Sequence, residues 1–168
     1  MLRTKSGFTL VELLIVVLIL GILAGVVLPA FSGNTEDANV SATIQNLQSL
    51  RASSDLYKVQ HAENYPGYPV GGGTPTETLF TTQLSLNSKK DGATAALGTA
   101  TYVLGPYVKN GIPPNPFNGK SSVLIIADAT AFPTAGDDAT GWVFKPKTGE
   151  FKANTAVTLT TGEKVFDF

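Results

Sequence analysis

The sequence predicts an α+β fold: a long N-terminal α-helix, and a small antiparallel β-sheet packed on the C-terminal half of that helix. Three observations predict it. Apolar residues fill the stretch from Leu10 to Phe31 almost without interruption. Helical spacing then continues to about Ala62. Short strand signals separated by turn residues occupy the chain from Ser122 to Phe168.

The first element is the most informative. From Leu13 to Ala30 there are 18 residues, all apolar, Gly or Pro. At 1.5 Å per residue they cover about 27 Å, close to the thickness of a bilayer's hydrocarbon core. Arg3 and Lys5 precede the run, and no acid comes before Glu12. The positive-inside rule therefore puts the N-terminus in the cytoplasm and the C-terminal domain on the far side. A secretory signal peptide fits less well. The run exceeds the usual length, Leu28-Pro29-Ala30 lacks an A-x-A cleavage pattern, and Glu12 lies early in the apolar region. A carboxylate inside such a segment is costly and points to a function.

Lys5-Ser6-Gly7-Phe8-Thr9-Leu10-Val11-Glu12 resembles the cleavage and methylation signal of type IV pilins and type II secretion pseudopilins. That family has a short basic leader ending in Gly, then Phe, with Glu four residues beyond. Gly21 and Pro29 also fall where the family carries a Gly and a helix-breaking Pro. The resemblance covers about the first thirty residues and implies a pilin-like fold with three regions. Residues 1–7 are the leader, 8–31 the transmembrane and filament-core helix, and 32–168 the periplasmic globular domain.

The resemblance also implies roles. Prepilin peptidase cuts between Gly7 and Phe8, and Phe8 becomes the N-methylated first residue. Glu12 neutralises the Phe8 amine of a neighbouring subunit and sets axial register. The helix breaks or loosens between Gly21 and Pro29 on assembly. The implied partners are prepilin peptidase, an assembly ATPase with its platform protein, other pseudopilins or pilins, and identical copies in a helical filament. The chain sits in the inner membrane first and in a periplasmic or cell-surface filament afterwards.

Beyond Pro29 the helical pattern resumes. Val40, Ile44, Leu47 and Leu50 share one face, with Tyr57 nearby, and form the predicted contact with the globular domain. The helix is expected to end near Asn64-Tyr65-Pro66, since Pro66 disfavours helix in its predecessor. A helix from Phe8 to about Ala62 would be ~80 Å long, so half of it is expected to project from a domain this small.

The segment 65–74 reads as a Gly- and Pro-rich loop. Thr74-Pro75-Thr76-Glu77 reads as a capping box with Pro at the first helical position, followed by Leu79, Phe80 and Leu84 as the buried face. Residues 111–119, with three prolines, form a second loop. Strands are expected at 122–127, 141–145, 150–153, 156–160 and 164–168. Pro146-Lys147-Thr148-Gly149 turns a hairpin between the second and third. Gly141 to Glu150 also resembles a C-terminal hairpin of pseudopilin-like proteins.

Composition excludes several kinds of chemistry. The chain has no cysteine, so disulfides, thiolate metal sites and cysteine catalysis are absent. It has a single histidine, His61, expected at the helix end in a capping or surface role. No nucleophile elbow or phosphate loop is present. Net charge is −1, and removal of the leader leaves 10 basic against 13 acidic side chains, or −3. With no basic run, no specific nucleic-acid partner is expected. Asp128, Asp137 and Asp138 offer oxygen ligands for Ca²⁺, and the resemblance implies a calcium site in this part of the chain in major pseudopilins. Their spacing does not fit an EF-hand and favours a solvated acidic loop. No other cofactor is expected.

The sequence therefore predicts a structural filament subunit, not an enzyme. The absence of paired C-terminal cysteines and the hairpin similarity favour a type II secretion pseudopilin. A type IV pilin for adhesion, twitching or DNA uptake is the alternative. A membrane-anchored or exported binding module is the second alternative.

Overall fold

The structure is a computed structural model that describes residues 7–168, except for the side chains of residues 25–34. Contacts between Cα atoms divide it into two units, Met1–Ala38 and Asn39–Phe168. Helix α1, Leu10–Gln60, supplies residues to both.

In the first unit every described large apolar side chain of α1 from Leu10 to Leu23 is exposed, on all faces of the helix. Among the described residues no helix is long and apolar enough to cross a membrane. The predicted span 8–31 runs into residues 25–31, which lie outside the described side chains. The loosening that the resemblance implies between Gly21 and Pro29 concerns the assembled filament, which the single chain does not test. Helix α1 continues through Gly21, whose neighbours in the sequence are strong helix formers. Pro29 lies outside the described side chains, as do residues 1–6 of the predicted leader entirely.

In the second unit α1 buries Thr43, Leu47, Leu50, Ser54 and Tyr57, with His61 just past its end. The spacing alternates between four and three residues, which keeps one stripe facing inward. This shifts the predicted stripe. Thr43 takes the inward position, while Ile44 is 39% exposed. The helix also stops earlier than predicted. Ala62 (φ 54°) and Glu63 (φ 64°) adopt the left-handed region, and the Glu63 amide bonds back to the Lys58 carbonyl at 3.1 Å. This closes the last turn before Pro66 can act.

Helix α2, Glu77–Ser85, follows the Gly-rich loop. Its N-cap is Thr76, whose Oγ1 accepts from the Leu79 amide at 3.3 Å. The predicted box on Thr74 is thus out of register. Pro75 lies outside the helix, and the Glu77 carboxylate instead accepts from the Val123 amide at 2.8 Å. Phe80, Gln83 and Leu84 are buried, and Leu79 is half-buried. A two-residue hairpin that carries no pattern of its own follows, β1 (Asn87–Ser88) with β2 (Thr94–Ala95).

The main sheet has three strands, β3 (Val123–Ile125), β4 (Trp142–Lys145) and β5 (Glu150–Ala153). β4 and β5 pair antiparallel across the Pro146–Gly149 turn, with Phe144 opposite Phe151. β3 pairs parallel to β4, so the sheet is mixed and not purely antiparallel. The physical reason is the long connection from Ile126 to Gly141, which lets the chain return in the same direction. The strands expected at 156–160 and 164–168 are not formed. A turn at Gly162 leaves a single bridge, Thr158 to Lys164, and Val165–Asp167 is a 3₁₀ turn.

Alternation along β4 covers both faces of the sheet. Trp142 and Phe144 join Leu47, Leu50, Tyr57, Phe80 and Phe151 in one cluster. Val143 joins Ile126 and Phe166 on the other side. Arg51 ties the helix to this core. Its Nη2 donates to the Phe151 carbonyl at 2.7 Å and the Phe168 carbonyl at 2.8 Å, and its Nε reaches Phe151 O at 3.2 Å.

Arg51→Ala leaves those carbonyls without their donor and is expected to cost about 2 kcal/mol, the worth of a charged hydrogen-bonding group. Thr43 is fully buried, and its hydroxyl has no partner among the described residues. Thr43→Val is therefore expected to stabilise the chain by about 1 kcal/mol. Urea unfolding of both variants measures the two opposite signs.

Candidate functional site

The predicted processing residues lie at the start of α1. Gly7 is exposed and precedes the helix, and Phe8 is 82% exposed. Thr9 and Glu12 form a reciprocal cap. Glu12 Oε2 accepts from the Thr9 amide at 2.9 Å and from the Thr9 hydroxyl at 2.8 Å. The Glu12 amide donates to Thr9 Oγ1 at 3.3 Å. This is a capping box, and it satisfies amides that a helix start leaves without partners. Its signature, Thr-x-x-Glu before an apolar run, is readable in the sequence. Glu12 Oε1 has no hydrogen bond among the described residues. The carboxylate can therefore start its own helix and still accept a cation.

The three aspartates considered for calcium are not brought together. No group of three or more acidic or histidine side chains among the described residues is placed to hold a metal. Asp128 Oδ1 accepts from the Tyr68 hydroxyl at 2.6 Å. Asp137 Oδ1 accepts from the Ala139 amide at 2.9 Å and from Asn154 Nδ2 at 2.7 Å. Those two donors hold its carboxyl below the usual range. Asp138 Oδ2 accepts from the Ala156 amide at 3.1 Å. Burial pushes its carboxyl up, but Thr155, that amide, Asn118 and Lys120 together pull it lower.

The loop is closed by donors that sequence reasoning missed. Lys120 Nζ donates to the Asp138 carbonyl at 2.7 Å and to the Ala139 carbonyl at 3.3 Å. Asn118 Nδ2 donates to the Thr140 and Asn154 carbonyls at 3.0 and 2.9 Å. Gly141 permits this closure, because a side chain there would collide with the Lys120 carbonyl. Nothing in the local sequence pairs residues 118–120 with 138–141, so only the folded chain reveals the set.

Comparison with known proteins decides the family. Residues 2–28 match the model of the prokaryotic N-terminal methylation motif. Type II secretion system core protein G of Aeromonas hydrophila is 32% identical over 122 residues, 73% of this chain and 74% of that protein. The chain belongs to the type II secretion core protein G family. The Escherichia coli K12 member is 28% identical over 85% of this chain and 94% of its own length. The Vibrio cholerae member is 40% identical over 36% of this chain and 41% of its own length. No solved structure matches. The chain is thus a pseudopilin, a structural subunit, and the secretion reading prevails over the type IV pilin alternative.

The single histidine is not at the surface. His61 is 2% exposed and stacks on Tyr57, with ring centroids 3.6 Å apart. Its Nδ1 bonds the Tyr57 carbonyl at 2.7 Å, and its Nε2 meets Ser88 Oγ at 3.0 Å. Early closure of α1 turns the ring inward, which corrects the expected surface role. The carbonyl partner makes Nδ1 the protonated nitrogen of a neutral ring, with Nε2 accepting from Ser88. Burial lowers its pKa, against weaker upward pulls from the Tyr57 carbonyl, Lys89 and Asp91.

The folded pKa lies below the unfolded one, so the unfolded chain binds more protons. The stabilisation is fully present above the unfolded pKa of about 6.5 and is lost as pH falls toward the folded value. Melting temperature is expected to drop between about pH 7.5 and 5.5, and His61→Gln to flatten that slope.

Proposed function

We propose that this chain enters the membrane as a precursor, is cut between Gly7 and Phe8, and joins a helical secretion filament through α1. The observation that supports this reading most is the Thr9–Glu12 cap at the head of a helix that is apolar on every face. Such a surface needs lipid or similar helices around it.

The apolar segment 8–31 crosses the inner membrane with its N-terminus in the cytoplasm and the globular unit in the periplasm. Prepilin peptidase reads Gly7, whose missing side chain allows close approach of backbone. Cleavage frees the Phe8 amine, which is methylated and stays cationic. Glu12 Oε1 then accepts that ammonium from a neighbouring subunit. Burial of the two charges together fixes axial register, and leaving either one alone is costly. The helix loosens between Gly21 and Pro29 during assembly, as Pro29 lacks a backbone donor. An assembly ATPase acting through a platform protein drives incorporation, with other pseudopilins as further partners. The acidic loop is held by Lys120, Asn118 and Asn154 and needs no calcium.

Mass spectrometry of the mature protein is expected to give a chain starting at N-methylated Phe8. A chain starting near Phe31 would refute the proposal. Glu12→Ala is expected to leave cleavage intact but abolish filaments, and normal filaments from that variant would remove the charge-pairing role. Calcium at about 1 mM is expected to leave the melting temperature where EDTA leaves it, and a rise of several degrees would show a bound ion.

A further inference from the structure

The chain contains two Asn-Gly pairs, Asn110-Gly111 and Asn118-Gly119, in one Pro-rich loop. Such a pair carries a chemistry of its own. The glycine amide nitrogen attacks the side-chain carbonyl carbon of the asparagine and expels ammonia, which closes a succinimide ring. Water then opens the ring at either carbonyl and leaves aspartate or isoaspartate. Glycine favours the attack because it has no side chain to shield its own nitrogen. Two groups must be free together, the glycine amide as nucleophile and the asparagine amide as electrophile.

The fold treats the two pairs in opposite ways, although their backbones are alike. Both glycines have positive φ, +74° at Gly111 and +70° at Gly119. A Cβ at either one would meet nothing within 4 Å. Conformation and crowding therefore do not separate them, and hydrogen bonding does.

At the second pair both groups are held. The Gly119 amide donates to the Asn115 carbonyl at 2.7 Å. Asn118 Nδ2 donates to the carbonyls of Thr140 and Asn154 at 3.0 and 2.9 Å, and its Oδ1 accepts from the Lys120 amide at 3.1 Å. Asn118 is half-buried. Ring closure there has to break the Gly119 bond and turn the side chain away from its partners.

At the first pair neither group is held. Asn110 is exposed. Among the described residues its side chain has no hydrogen bond, and neither does the Gly111 amide. The pair forms a tip between two anchors. On one side the Val108 amide bonds the Leu84 carbonyl at 3.0 Å. On the other Ile112 is buried, and the Pro113 carbonyl accepts from Trp142 Nε1 at 2.8 Å. Only Lys109, Asn110 and Gly111 lie between them, and an exposed tip of this kind moves without breaking either anchor.

We propose that Asn110 is a site of spontaneous deamidation in the folded protein, and that the fold protects Asn118 from the same reaction. Each event consumes one water and releases one ammonia. The product, aspartate or isoaspartate, takes the side-chain charge of the mature protein from −3 to −4. The reaction needs neither Glu12 nor a filament, so it stands or falls separately from assembly.

The test incubates the mature full-length chain, in detergent, in heavy-oxygen water at mildly alkaline pH. Peptide mapping by mass spectrometry reads the heavy oxygen that ring opening leaves in the new carboxylate. Asn110 is expected to convert at least about tenfold faster than Asn118. Enough urea to unfold the globular unit, followed by circular dichroism, is expected to bring the two rates together. Asn110→Gln should remove the acidic band that isoelectric focusing shows for the aged parent. Equal rates in the folded chain, no conversion at Asn110, or faster conversion at Asn118 overturns the proposal. So does a difference that persists undiminished in urea, which would assign it to the preceding residues Lys109 and Phe117 and not to the fold.

Discussion

A carboxylate in the first turn of a helix with no polar face is the constraint on which this pseudopilin depends. Glu12 would be a liability anywhere in a hydrocarbon or protein interior without a partner. Here it has one in its own chain, the amide and hydroxyl of Thr9. The cap meets needs that every helix start has. It also holds the carboxylate at the start of the helix, one turn from Phe8. Local capping uses one carboxylate oxygen, and the subunit pairing proposed above would use the other.

The globular unit solves a different problem. It must hold a short mixed sheet, a two-turn helix and long loops together with few regular hydrogen bonds. Single polar side chains act as joints where regular structure is missing. Arg51 binds the carbonyls of Phe151 and Phe168 to α1. Gln83 binds two loops to α2. Asn118, Lys120 and Asn154 close the crossover between β3 and β4. Arg51, Gln83, Asn118 and Lys120 donate to backbone carbonyls, while Asn154 Nδ2 meets the Asp137 carboxylate. A backbone group buried without a partner is costly. The aromatic cluster of Trp142, Phe144, Phe151 and Phe80 then fills the space the joints define.

Elements with a strong local cause were legible from the residues. The hairpin between β4 and β5 follows from alternating apolar residues and a Pro-Lys-Thr-Gly turn, and it forms where predicted. The long helix follows from its periodicity. Elements that depend on distant partners were misread. Val123–Ile125 has strand character, but nothing in it says that β4 runs parallel beside it. Residues 156–160 and 164–168 have strand composition, yet the turn at Gly162 leaves room for one bridge. Thr74 looks like the cap in the sequence, and the bond from the Thr76 amide to the Gly67 carbonyl accompanies a shift of the cap to Thr76. His61 looks exposed until Ala62 and Glu63 turn the chain back.

The sequence by itself determined the head of the molecule: the leader pattern, the apolar helix, the acid at Glu12 and the family that these mark. Those features act through neighbours along the chain, so spacing alone carries them. Tertiary structure decided the closed acidic loop and the buried histidine. Each requires groups from different elements to converge, and a hydrogen bond reaches only about 3 Å. Convergence at that range is a property of the folded backbone, which no local run of residues contains.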